Sequence, residues 1–180
     1  MPRTRTELER DAKVEEIVSA AVARLREGGY EALSVVGLAR ELGIAQNAVY
    51  WYFPSKDHLF VAALERMLRD VVARKPPDQP SLEHKVLWFV ERLAEMADVR
   101  AALYDRARTS DVVAAFAAEL QATWRRMLTN VLASRVPERD LEATVETLLA
   151  TIQGVLFGDQ TPEERERVVG FALQRLTGRG

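Results

Sequence analysis

"LSVVGLARELGIAQNAVYWYFPSKDHLF", residues 33–60, is the stretch on which the reading of this chain turns. Ser34 stands where a helix N-cap belongs, and Val35, Leu38, Ala39 and Leu42 then recur on one side of a 3.6-residue period. Gly43 breaks that helix, Ile44 follows, and a very short helix is expected from about Gln46 to Tyr52. Pro54 and Ser55 interrupt again, with Ser55 placed to cap a long helix from Lys56 to about Arg74. Ala39, Gly43 and Val49 fall at relative positions one, five and eleven. Two helices that meet at roughly a right angle through a short turn need a small side chain where they touch, which Ala39 supplies. The turn needs a residue tolerant of positive φ, which Gly43 supplies. Ile44 and Val49 then seal the second helix onto the first, bracketed by Leu38 and Leu42, and the set predicts a helix-turn-helix.

Four aromatics in a row, Tyr50, Trp51, Tyr52 and Phe53, are more than one inward face of a helix can take. Either the whole run is core, or part of it is held outside for a partner.

Around this segment the chain is helical. Val14, Ile17, Val18, Ala21 and Leu25 form the stripe of a first helix that ends at Gly28-Gly29. Thr6 and Glu9 have the spacing of a capping box, although the helix is also consistent with a start near Lys13. "KPPDQP", residues 75–80, is the clearest linker, because three prolines in six residues cannot continue a helix. Stripes then run through Leu82, Val86, Phe89, Leu93 and Met96; Val113, Phe116, Leu120, Trp124, Met127 and Val131; and Leu141, Val145, Leu148, Ile152 and Val155. The last helix opens on Thr161-Pro162-Glu163-Glu164, a cap followed by proline and a capping-box glutamate. The expected fold is all-α with about nine helices: a helix-turn-helix domain over 1–55, and a bundle over 56–180 that the long fourth helix joins to it.

Composition narrows the function. The 180 residues are 48% hydrophobic and 29% charged, an ordinary globular balance. There is no cysteine, which excludes disulfides, thiolate metal sites and a cysteine nucleophile. No apolar run reaches signal-peptide or membrane-span length, so a cytoplasmic protein is expected. The net charge is −2, and residues 1–56 carry eight basic and eight acidic side chains, so no bulk basic footprint marks a nucleic-acid binder. His58 and His84 lie in different helices with no acid motif around them, and there is no phosphate loop or nucleophile elbow. Neither an enzyme nor a metal or cofactor is expected.

Residues 33–60 resemble the DNA-binding signature of the TetR family of bacterial transcriptional regulators. The matching features are Ser34, Ala39, Gly43, the run Tyr50 to Phe53, and Ser55-Lys56. Ala45 departs from the more usual Ser or Thr before the recognition helix, and Gly37 sits inside the second helix at a cost of about 1 kcal/mol.

The resemblance implies that Tyr52 and Phe53 turn to the core while Tyr50 and Trp51 face DNA phosphates and thymine methyls. Gln46 and Asn47 would reach base edges, and Ser34 and Lys56 would bind phosphates at helix starts. Arg3 and Arg5 form either a minor-groove arm or an uninvolved tail.

It further implies a homodimer on a palindromic operator, paired through the last two helices by Leu148, Ile152, Val155, Val168, Val169 and Ala172. Burial of these residues within one subunit is the alternative. A small, largely apolar effector would lie among Trp88, Arg92, Met96, Tyr104, Phe116, Gln121 and Trp124 and act through the fourth helix. Two other readings stay open: an all-α ligand-binding or enzymatic protein with a vestigial helix-turn-helix, and a regulator governed by a protein partner.

Overall fold

A computed structural model describes residues 5–74 and 81–178, and among them the chain is entirely helical, with nine helices and no strand. The Thr6 side chain, Arg3, the Arg5 side chain and the proline-rich stretch 75–80 lie outside what it describes. Two compact units form. The first holds the described residues through Ala73 together with Asp98–Ala117; the second holds Arg74–Ala97 and the chain from Ala118 onward. They do not divide at residue 55, because the fourth helix belongs wholly to the first unit.

In the first unit, α1 (Arg5–Ala32) starts eight residues before the alternative start at Lys13. Gly28 and Gly29 leave helical geometry, Gly29 at φ +62°, and a last turn carries the chain to Ala32. α2 (Val35–Glu41) is capped by Ser34, whose Oγ accepts from the Gly37 N–H at 3.1 Å. Gly43 takes φ +64°, the left-handed conformation that closes the turn, and the Ile44 N–H donates to the Ala39 carbonyl at 3.0 Å. α3 (Gln46–Tyr52) and α4 (Lys56–Ala73) follow. α1 packs along α4, and α2 on α3. The buried residues are those the 3.6-residue period selects: Ile17, Ala21 and Leu25 on α1, Leu38 and Ala39 on α2, and Leu59, Phe60, Ala63, Leu64 and Met67 on α4. α6 (Ala97–Arg106) lies almost entirely in this unit, and α7 (Asp111–Leu132) gives it its first seven residues.

The second unit is built on α5 (Leu82–Ala94), α8 (Glu138–Phe157) and α9 (Pro162–Leu176), with the rest of α7. Its core gathers Val90, Leu132, Val145, Leu148, Val155, Val169 and Leu173. α9 opens on the predicted reciprocal cap: the Glu164 N–H donates to Thr161 Oγ1 at 3.2 Å, and Glu164 Oε2 accepts from the Thr161 N–H at 2.9 Å. Arg165 binds Glu91 through Nε at 2.9 Å and Nη2 at 2.8 Å, tying α9 to α5. A Cβ on Gly170 would stand 2.8 Å from Glu83 Oε1, the tip of an α5 side chain that reaches over α9.

Candidate nucleic-acid interface

Seven residues of α3 leave room for two faces. Val49 is 1% exposed, and Phe53, which ends the helix by donating its N–H to the Val49 carbonyl at 2.9 Å, is buried four residues later on the same side. Gln46 and Tyr50 form one outward row, Asn47 and Trp51 the next, each pair spaced by four, and all four are exposed. Trp51 is 68% exposed. An indole on this scale is normally covered, and here it stands beside two amides and a phenol, all able to donate hydrogen bonds. Tyr52 departs from a fully enclosed position: it is half-buried, with its ring edge-on to Trp51 at 4.7 Å. The Arg10 guanidinium, from α1, lies 5.3 Å from the Trp51 ring centroid and adds a cation at the same face. Sequence reasoning missed Arg10, since nothing local links it to a residue 41 positions on.

Beside this face lie two helix starts. Ser34 is exposed; its oxygen accepts from Gly37 and its own O–H remains free to donate. At α4, Ser55 Oγ accepts from the His58 N–H at 3.3 Å and contacts His58 Nδ1 at 2.8 Å. The Lys56 ammonium rests 3.8 Å from the centroid of the Tyr30 ring, a cation–π seat. Burial there lowers its pKa, partly opposed by the charge of Glu31. Leu38 and Ala39 are buried, Ile44 is half-buried and Gly43 is exposed at the turn.

Asp57, the next residue, is the hub of a network. It accepts from Tyr30 Oη at 2.7 Å, from Arg106 Nε at 3.2 Å and from Arg106 Nη2 at 2.7 Å. Burial pushes its carboxyl up, but hydrogen bonds from Arg106, Tyr30 and Ser110 outweigh that and hold it at about 2. Tyr30 is raised in turn to about 12, by burial and by the bond to Asp57. Arg106 follows Asp57 by 49 residues, and no sequence signal joins them.

The seven residues expected to line an effector site do not collect in one unit. Trp88, Arg92, Met96, Gln121 and Trp124 belong to the second, Tyr104 and Phe116 to the first. Bulk and helical spacing marked them, and neither property locates a cavity. An open cleft of about 490 Å³ in the second unit is lined instead by Ser81, Leu82, Lys85, Asn130, Val131, Ser134 and Arg135.

Three of the residues expected to pair two subunits need correction. Leu148, Val155 and Val169 are between 0% and 4% exposed within the single chain, because α8 and α9 pack on each other and on α5. Ile152 and Ala172 are half-buried. The apolar side chains left outside on this helix pair are Phe157, Val168 and Phe171, two of them unforeseen. Among the described residues no helix is long and apolar enough to cross a membrane, and no three His, Cys, Asp or Glu side chains gather in a metal-binding arrangement.

Residues 17–63 match the family model of bacterial regulatory proteins, tetR family. The chain is 38% identical over 73 residues to the HTH-type transcriptional repressor KstR of Rhodococcus jostii, an alignment covering 39% of this chain. It spans about a third of that repressor's length, 34%. The whole fold is similar to a crystal structure of a transcriptional regulator from Rhodococcus sp. Rha1, with a TM-score of 0.72 at 25% identity over 91% of this chain and 95% of that one. It is also similar, in fold, to BioQ solved with its double-stranded DNA operator, with a TM-score of 0.62 at 23% identity over 92% of this chain and 98% of that one.

Proposed function

We propose that this chain, whose residues 17–63 match the family model of bacterial regulatory proteins, tetR family, is a member of that family and a ligand-responsive transcriptional regulator acting as a repressor. It binds a palindromic operator as a homodimer through α3, and a small, largely apolar effector releases it. One observation carries the DNA-binding half: the exposed rows Gln46–Tyr50 and Asn47–Trp51, on a helix that Val49 and Phe53 anchor from behind. The amides suit adenine edges in a major groove, and the phenol, indole, Ser34 hydroxyl and Lys56 ammonium suit phosphates.

A helix of seven residues reads only a few base pairs, which calls for two copies one helical turn of DNA apart, about 34–36 Å, or a multiple of it. The exposed Phe157, Val168 and Phe171 are the apolar side chains that pairing through α8 and α9 would cover. For the effector, the best-supported group is Arg92. Its Nη2 pairs with Glu95 at 2.7 Å, while its Nε is buried with no hydrogen-bond partner among the described residues and its guanidinium lies 6.0 Å from the Trp88 ring. A mostly apolar molecule with one oxygen would satisfy that donor.

Trp51→Ala tests the reading face. The side chain is largely exposed, so the thermal midpoint should move by no more than about 2 °C. Affinity for a duplex selected with the wild-type protein should fall about tenfold. Met127→Ala, an exposed position of the second unit, should bind as wild type. Equal affinity for wild type and Trp51→Ala would mean that α3 is not the reading helix.

A further inference from the structure

Lys56 and Asp57 are chain neighbours of opposite charge at the start of α4, and both meet Tyr30: the ammonium lies on the face of the ring, 3.8 Å from its centroid, and the carboxylate accepts a hydrogen bond from the hydroxyl at 2.7 Å. Neighbours on a helix do not face each other, but the shared ring brings the Asp57 charge within reach of Lys56, which also feels Glu31. Asp57 is already engaged. Arg106, the last residue of α6, grips both of its oxygens at 3.2 and 2.7 Å, and its guanidinium carbon lies 5.3 Å from the centroid of the same Tyr30 ring. A bidentate guanidinium is the strongest partner a carboxylate finds among side chains. Only 13% of the Asp57 side chain is exposed, so water competes little. Among the described residues Lys56 forms no ion pair, and its positive charge is left for something else.

We propose that Arg106 is a positioning residue for DNA binding: by occupying Asp57 it keeps the Lys56 ammonium unpaired and available to a DNA phosphate. The proposal rests on the reading of Lys56 as a phosphate contact. Without the Arg106 guanidinium, Asp57 would turn its uncompensated charge toward Lys56 on the same Tyr30 ring, and one phosphate contact per protomer would be lost. Tyr30 sets the geometry for both neighbours and so cannot serve as a clean test. The charge on Asp57 can.

Affinity for a duplex selected with the wild-type protein would be measured by fluorescence anisotropy over a salt series, for wild type, Arg106→Gln, Asp57→Asn, Arg106→Lys and the double variant Arg106→Gln/Asp57→Asn. Glutamine keeps length and packing while removing the charge. Arg106→Gln should bind about tenfold more weakly at low salt and flatten the log–log salt slope by about 0.9 per protomer, the value of one phosphate contact. Arg106→Lys, which keeps a cation on Asp57, should retain the wild-type slope. The double variant should recover both slope and affinity, because a neutral asparagine has no charge with which to capture Lys56. A wild-type slope in Arg106→Gln overturns the proposal. So does a double variant as weak as Arg106→Gln, since that would assign the effect to the mechanical tie between α4 and α6. If the wild-type protein selects no duplex, the DNA-binding reading itself falls, and the proposal falls with it.

Discussion

Phe60→Ala is expected to lower the unfolding free energy by about 4 kcal/mol. Phe60 is completely buried in α4, and its ring packs edge-on to Tyr30 at 4.9 Å and 79°. Truncation removes the buried ring, leaves a cavity between α1 and α4, and abolishes an aromatic pair that adds about 1 kcal/mol to area burial. Chemical denaturation followed by circular dichroism measures it. The consequence reaches the interface, because Tyr30 seats Lys56 and Asp57; a variant still folded at low temperature should bind duplex DNA more weakly than its folded fraction accounts for. A loss under 1 kcal/mol would mean that the α1–α4 contact is not the anchor of the first unit.

The second large effect depends on pH. The Asp57 carboxyl is held at about 2 against an ordinary value of 3.8. A carboxyl whose pKa is lowered on folding stabilises the fold above its unfolded value and loses that contribution as pH falls through its folded value. Stability should therefore drop by about 2 kcal/mol between roughly pH 4 and pH 2 on this account alone. Asp57→Asn should lack that part of the acid limb when both proteins are unfolded by urea across the range. Tyr30 works in the opposite direction at high pH. Its hydroxyl is raised from 10.0 to about 12, so its contribution is complete below pH 10 and is lost as pH rises through 12. Parallel acid limbs for wild type and Asp57→Asn would show that Arg106 and Tyr30 do not hold the carboxylate in its charged form.

The helix-turn-helix was legible because each boundary has its own local cause. Ser34 caps α2, Gly43 takes the positive φ of the turn, and Pro54-Ser55 separates α3 from α4. These are short-range effects of single residues, and a sequence displays them directly. The alternative start of α1 near Lys13 failed because the first turns, from Arg5 to Lys13, are rich in charge and carry little apolar signal, although the chain there is helical. The α8 and α9 stripes were visible, but a stripe states only that a face is covered. It does not say by which chain, and so it cannot distinguish a subunit contact from the burial within the protomer that Leu148, Val155 and Val169 show, nor does it mark Phe157 and Phe171 as exposed. The network at Asp57 was invisible for another reason. Its partners come from α1, α4 and α6, and only folding brings Arg106 to a carboxylate 49 residues away. The missing basic footprint also finds a physical counterpart here: Arg10 and Lys56, the two cations described at the candidate interface, are each seated on an aromatic ring.

The most direct test of the central claim, that the first unit reads duplex DNA through α3, is selection of bound duplexes from a random pool by the wild-type protein, followed by salt titration of the enriched sequence. A palindromic site is expected, its half-sites one helical turn apart or a multiple of it, with affinity that falls steeply as salt rises. A pool that shows no enrichment, or binding indifferent to salt, would contradict it.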